Sequence, residues 1–536
     1  MLLKVLASLF GTLGAYAVYQ IFKAIYHEVT SPIRNLSGPP STHWFFGNLK
    51  DLFNDEISGL ELGWIAEYGR TMKTHTLFGK SQLYTADTKA IHHFLSHTHI
   101  YQKSPAARIS LGRIVGPGIL VVEGDVHKQQ RKIMNPAFGA PQVRELTSIF
   151  VNTSVQLRDI WAGQAAKNGG VVRVEALSWL SKATLDIIGL AGFNYRINAL
   201  GTEDHETPDE LAQAFDAVFT AETGLSFFRR LQFMFPVFRA IPSRQDKTVR
   251  ESQETIMRIG KRLLAESKRE IAENGTFDTG RGRDLLTLLV RANTSKEIPA
   301  SQRLSDEDVI AQVPTFLVAG HETTSTAVTW ALFALTQNIP AQTRLREELL
   351  TISTENPTMD DLNSLPYLEC VVKETLRLYA PVPVTGRMAM QDDIVPLGTP
   401  VTDTNGIVHE SLRIRKGDEL RIPITAINHD KEIWGPDALE FRPARWEGTP
   451  TSNTIPGVWG HMLTFLGGPR GCIGFRFSLV ETKALLFTLV RGLEFELAVP
   501  AADIGKKSNA IVVRPMVKGY PEVGSQLPLL VRPVVR

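Results

Sequence analysis

The stretch "FLGGPRGCIGFRF", Phe465 to Phe477, holds one of only two cysteines in a chain of 536 residues. Its thiol, Cys472, stands between Gly471 and Gly474 and two positions after Arg470, so little side-chain bulk surrounds it. Packing does not ask for so bare a cysteine, whereas close approach of something large and flat does, because glycine lets the backbone come near. The rival thiol, Cys370, is flanked by Glu369 and Val371 in a helical pattern without glycine, and reads as a small buried hydrophobe.

Working outward, an apolar fraction of 43% and a charged fraction of 21% are those of an ordinary globular protein with a sizeable core. A net charge of +2 without any Lys/Arg-rich run gives no footprint for nucleic acid. Two cysteines cannot build a disulfide framework, which points to a reducing compartment such as the cytosol.

The N-terminus departs from this picture. Val5–Phe22 carries no charge, and its eighteen residues would cover about 27 Å as a helix, close to the thickness of a thin bilayer. Lys4 and Lys23 bracket it, and Tyr16, Tyr19 and Tyr26 suit an interface. A signal peptide wants a small-x-small cleavage site, which "QIFKAIYHE" lacks, so residues 1–27 are expected to be an uncleaved transmembrane anchor. Residues 28–44, with Pro32, Pro39 and Pro40, read as a stiff, extended hinge. Beyond it, "TMKTHTLFGKSQLYTAD" alternates around Gly79 as a β-hairpin; most of the chain to about residue 380 has helical period, and the remainder is mixed. No internal repeat or composition break divides residues 45–536, so one large, mainly α domain with small β-sheets is expected.

Two helical segments carry polar groups where polarity is costly. The first, Ser305 to Asn338, is capped by Ser305, has acids in its first turn, and holds "AGHETT" (Ala319 to Thr324) in its apolar middle. Ala319, Glu322 and Thr323 are placed on one face by the i, i+3, i+4 rule, which makes a notch edged by a proton donor. The second, "LPYLECVVKETLRLYAPVP", sets Glu374 and Arg377 three apart among apolar neighbours, and "FRPARW" supplies Arg445 from a loop. A buried carboxylate between two arginines would staple that loop to the helix.

These four motifs, in this order, resemble those of the cytochrome P450 family over nearly the whole chain. Phe465, Gly468, Arg470, Cys472 and Gly474 match its haem-binding signature; "AGHETT" looks like its oxygen-activating motif, and Glu374, Arg377 and Arg445 like its structural triad. The resemblance implies the P450 fold, haem b, and Cys472 as axial ligand of the iron, because a thiolate pushes electron density onto haem iron and favours O–O cleavage. It implies Glu322 and Thr323 as proton relay, and Arg470, Arg131 and Arg387 as partners of the haem propionates. Many members have tryptophan where this chain has His127, which leaves the contact at that point open.

The resemblance further implies O2 and NADPH–cytochrome P450 reductase as partners, and an endoplasmic-reticulum membrane with the catalytic domain facing the cytosol. In that case no Asn-x-Ser/Thr sequon of the domain is glycosylated. Lys128, Arg131, Lys132, Arg476 and Lys483 would form a basic docking face, or an ordinary solvated one. The Phe-rich stretch Ser226 to Pro242 would dip into a bilayer or pack in a core. Apolar walls are expected from "PAARISLGRIVGPGILVV", Phe316, Ala319, Thr324 and "APVPVTG", which suit a lipophilic small-molecule substrate. The style of the motifs resembles fungal members, many of which make secondary metabolites, so a terpenoid-like substrate is the first expectation. Two other classes stay open: a reductase-independent haem-thiolate isomerase or lyase, and a non-catalytic haem or lipid-binding membrane protein. Within the monooxygenases, a hydroxylase of xenobiotics or fatty acids is the other reading.

Overall fold

The computed structural model describes residues 2–54, 59–204, 209–223, 244–274, 284–294, 299, 302–448, 454–509 and 511–534. The chain opens with helix α1 (Leu2–Thr30). Six further helices frame the site: α2 (Gly124–Met134), α3 (Ala140–Lys167), α4 (Ala176–Phe193), α5 (Gln312–Gln337), α6 (Pro366–Leu378) and α7 (Phe475–Gly492).

Helix α5 is the axis of the molecule, buried along most of its length and packed against α4 and α7. The segment expected as one helix from Ser305 breaks at Ala311, where a short piece, Asp306–Ile310, ends. Ser305 does cap that piece, its hydroxyl accepting from the Asp308 N–H while Asp308 reaches back, so two orphan donors are satisfied reciprocally. The Glu175 side chain caps α4 in the same way, accepting from Leu177 and Ser178. Helix α6 starts on Pro366, where the missing N–H costs nothing.

The sheets are small. The expected hairpin is β1 (Thr71–His75) paired antiparallel with β2 (Ser81–Thr85), and a five-stranded sheet continues through Glu419–Pro423 and Val384–Ala389 to Tyr101–Gln102. Ile504–Asn509 and Val512–Val517 form a separate antiparallel ribbon. The Trp330 indole of α5 donates to Val513 C=O at 3.0 Å, which fixes the ribbon against the central helix.

Among the described residues no helix is long and apolar enough to cross a membrane, so the transmembrane span expected at Val5–Phe22 is not shown. The expected hinge is not a free spacer. Ile33 and Leu36 are buried in the main core, Ser31 donates to Asp418 at 3.0 Å, and the Glu28 carboxylate accepts from the Ser81 N–H at 3.0 Å. A side chain at Gly38 would sit 2.0 Å from Lys73 C=O, so only glycine lets the chain lie that close to the sheet.

Candidate active site

Cys472 sits in the loop before α7. Its N–H donates to Phe465 C=O at 2.8 Å and Gly471 N–H to Gly468 C=O at 3.0 Å, so the loop closes on its own backbone. Gly468 has φ +66°, and a Cβ there would lie 2.4 Å from Leu95 C=O; at Gly467 it would lie 1.7 Å from Pro456 C=O. Gly471 meets the Val458 side chain at 2.7 Å, whereas Gly474 has nothing nearer than Phe138 at 3.8 Å. Most of the glycines are thus demanded by neighbouring chain, and Gly474 is the one with open room beside it. The Cys472 side chain is exposed at its own surface. Burial nevertheless pushes its thiol pKa above the ordinary value, while the Gly474 N–H and the Arg131 charge pull the other way. Cys370 is buried, and its thiol is pushed up to about 11, as an inert packing cysteine should be.

A cluster of cations surrounds one carboxylate near this loop. Arg470 ion-pairs with Glu123 and donates to Val122 C=O at 2.8 Å. Lys103 lies 3.5 Å from the same carboxylate. Burial, then the charges of Arg387, Arg470 and Arg108, hold Lys103 well below its usual pKa, and burial brings Arg387 and Arg470 down to about 10. Buried His127 is pushed down to about 4 by burial and by Lys103 and Arg131, so it is a neutral donor or acceptor at physiological pH. Arg131 donates to Gly471 C=O at 2.6 Å and to Asn135 at 2.8 Å, and its charge reaches Cys472. Arg470 and Lys103 pair with Glu123, and Arg108 and Arg387 lie near enough for their charges to act on Lys103, so positive charge is left to be balanced. A flat group carrying two carboxylates, set beside an open thiol, suits that donor set, so the residues fit haem.

Helix α5 runs unbroken through "AGHETT", with no kink at Gly320. A Cβ at Gly320 would lie 2.8 Å from Ile188, so this glycine serves the close packing of α4 on α5. Ala319 is exposed and Thr323 half-buried, its hydroxyl donating to Ala319 C=O at 2.7 Å. Glu322, by contrast, is buried, 3.1 Å from His321 Nε2 and ion-paired with Arg514. The acid and the hydroxyl are therefore neighbours in sequence but sit in different surroundings. Thr324, expected in the wall, is buried and hydrogen-bonds Ser478 of α7 at 3.2 Å, while Phe316 packs edge-on to Phe138.

The expected staple is present and deeper than its sequence required. Glu374 and Arg377 are fully buried and joined by two hydrogen bonds of 2.8 and 2.9 Å. Arg445 reaches Glu374 at 3.3 Å and Asp437 at 2.9 Å, and Arg377 also donates to Asn428 and Ala438 C=O. Trp446 Nε1 donates to Glu374 at 2.9 Å, so the last residue of "FRPARW" joins the network as well. Breaking a buried pair by removing one partner typically costs about 3–5 kcal/mol.

Sequence reading missed Lys103, Arg108, Glu123 and Arg514, which lie far from the motifs they join. It also placed Lys483 on a basic face, whereas that side chain is buried, bound to Glu369 and Asn363 at 2.8 Å each. Arg476 and Lys132 are exposed, and Lys128 pairs with Asp125 at 3.1 Å. The Phe-rich stretch from Phe227 to Phe238 lies outside the described residues.

A sequence model of the family described as "Cytochrome P450" matches residues 37–520. The chain is 50% identical over 536 residues to cytochrome P450 monooxygenase 205 of Postia placenta, covering 99% of this chain and 98% of that protein. Cytochrome P450 monooxygenase 128 of the same fungus is 49% identical, covering 98% and 97%. Cytochrome P450 monooxygenase claQ of Ampulloclitocybe clavipes is 35% identical over 517 residues, covering 94% of each chain.

Proposed function

The chain belongs to the cytochrome P450 family and is a monooxygenase of that class, and from this premise we propose that it oxidises a lipophilic small molecule of fungal secondary metabolism, terpenoid-like in character, with electrons from NADPH through a reductase. The observation that carries this reading is Cys472: an exposed thiol in a glycine-rich loop, within reach of the Arg131 charge and two positions from Arg470, which pairs with Glu123 together with Lys103. Bound there, haem b would supply a thiolate-ligated iron that activates O2.

The protein's own groups divide the remaining work. Arg131 holds the Gly471 carbonyl and places positive charge near Cys472, which favours the thiolate. Arg470, Arg387, Lys103 and His127 are the partners proposed for the two propionates. Thr323, on the open side of α5, holds a proton at its Oγ1, and Glu322 renews it. Glu374, Arg377 and Arg445 staple the "FRPARW" loop to α6. Helix α1 attaches the protein to the endoplasmic-reticulum membrane, with the catalytic domain facing the cytosol. The acid–threonine pair favours oxygen insertion over a reductase-independent isomerase.

The test is turnover of the full-length protein with reductase, NADPH and isotopically labelled O2. Substrates would be chosen from a lipophilic panel by the shift each induces in the haem spectrum. One labelled oxygen atom per product molecule is expected. Product formed without NADPH or without label would assign the enzyme to isomerase chemistry instead.

A further inference from the structure

His321 lies inside "AGHETT" and has no role in the reading above. Its Nδ1 is 2.9 Å from Leu317 C=O, and its Nε2 is 3.1 Å from Glu322 Oε1. A carbonyl only accepts, and an ionised carboxylate only accepts. A neutral imidazole carries one N–H and can satisfy one of these neighbours, not both. With the Nδ1 proton given to Leu317 C=O, the Nε2 lone pair faces Oε1 of the carboxylate, a contact that is favourable only when one additional proton lies between the two.

Resting on the relay reading of Glu322 and Thr323, we propose that His321 and Glu322 jointly hold one transferable proton, that Arg514 sets where it resides, and that it is renewed from a surface pocket beside Arg514. Arg514 comes from the Val512–Val517 strand and ion-pairs with Glu322. It also lines a pocket of about 260 Å³ with Glu175, Ser178, Ser181, Lys182 and Ser525. Arg514 is thus the link between solvent and the buried pair. From α4, Thr184 donates to His321 C=O at 3.1 Å, which fixes the backbone that carries the ring.

The charges act in opposite directions. Burial, together with the charge of Arg514, drives His321 down to about 4, so the imidazole by itself sheds a proton at neutral pH. The same guanidinium, ion-paired with Glu322, favours the carboxylate over its acid. With Arg514 disfavouring a proton on either side, a proton shared across the 3.1 Å contact is one that is given up readily. Arg514 acts through Glu322, as a positioning residue.

The measurement is the infrared spectrum of the holoenzyme, read together with product formed per NADPH consumed. Arg514→Met removes the charge that opposes protonation of Glu322. A new carboxylic-acid C=O band is expected, absent from Arg514→Lys and lost again in the Arg514→Met/Glu322→Gln double variant. His321→Gln should keep the substrate-induced haem shift while slowing product formation about 10²-fold, the lower end for a positioned proton donor, with hydrogen peroxide taking the place of product. The carbonyl-bound haem spectrum checks folding, and if Arg514→Met takes up no haem, His321→Gln decides. No new band, with coupling unchanged in His321→Gln, would overturn the proposal while leaving the Thr323 relay standing. Coupling unchanged in Thr323→Ala would remove the relay itself, whatever the infrared spectrum shows.

Discussion

At Thr323 the hydroxyl is half-buried and donates to Ala319 C=O at 2.7 Å, on the side of α5 where Ala319 is exposed. Thr324, turned by about 100° around the helix, is buried and bonded to Ser478. The two substitutions should separate. Thr323→Ala is expected to keep the haem spectrum and substrate binding but divert NADPH into hydrogen peroxide. Thr324→Ala should stay coupled and lose about 1 kcal/mol of stability for its hydrogen bond. Measuring product and peroxide per NADPH, with thermal unfolding alongside, distinguishes them; uncoupling in Thr324→Ala alone would put the relay one residue further on. The identities of these residues were legible in the sequence because they are contiguous. Their surroundings were not: the i, i+3, i+4 rule put Glu322 with Ala319, and it is Arg514, almost two hundred positions away, that draws the acid aside.

Among elements, the Cys472 loop shows what its glycines are for. The sequence suggested that Gly471 and Gly474 admit a flat ligand; the structure sets Gly467 and Gly468 against neighbouring backbone and Gly471 against the Val458 side chain, and leaves room beside Gly474. Gly467→Ala would set a Cβ 1.7 Å from Pro456 C=O, which a rigid loop cannot relieve. Gly474→Ala meets nothing closer than Phe138 at 3.8 Å. Gly467→Ala is therefore expected to abolish haem uptake, and Gly474→Ala to retain it. Absorbance of purified variants, as haem per protein, gives the answer; full uptake by Gly467→Ala would mean that the loop yields where it is drawn as rigid. The Glu374–Arg377 pair was legible from its spacing on α6. Its burial was not, because the carbonyls of Asn428 and Ala438 that complete it belong to a segment more than fifty positions away.

On the scale of the whole molecule, the class of fold and the order of motifs were readable from one sequence, since helical period, the hairpin at Gly79 and the cysteine loop are local features. The N-terminus was less so. Apolar length suggested a separate anchor and spacer, whereas Glu28, Ser31, Ile33 and Leu36 tie the end of α1 and the following turn to the sheet and core. Deleting residues 1–27 should shift protein from the membrane fraction to the soluble one while keeping these later contacts. An unchanged distribution on fractionation would show that α1 attaches nothing. The pairing at Glu123 was the largest omission, because Glu123, Lys103 and Arg470 meet only after the chain folds. The central claim, that Cys472 carries the haem iron, is tested most directly by the carbonyl-bound spectrum of the reduced full-length protein. The thiolate-type band is expected in wild type and in Cys370→Ala, and should be lost in Cys472→Ala; its persistence in Cys472→Ala, or its loss in Cys370→Ala alone, would contradict the account.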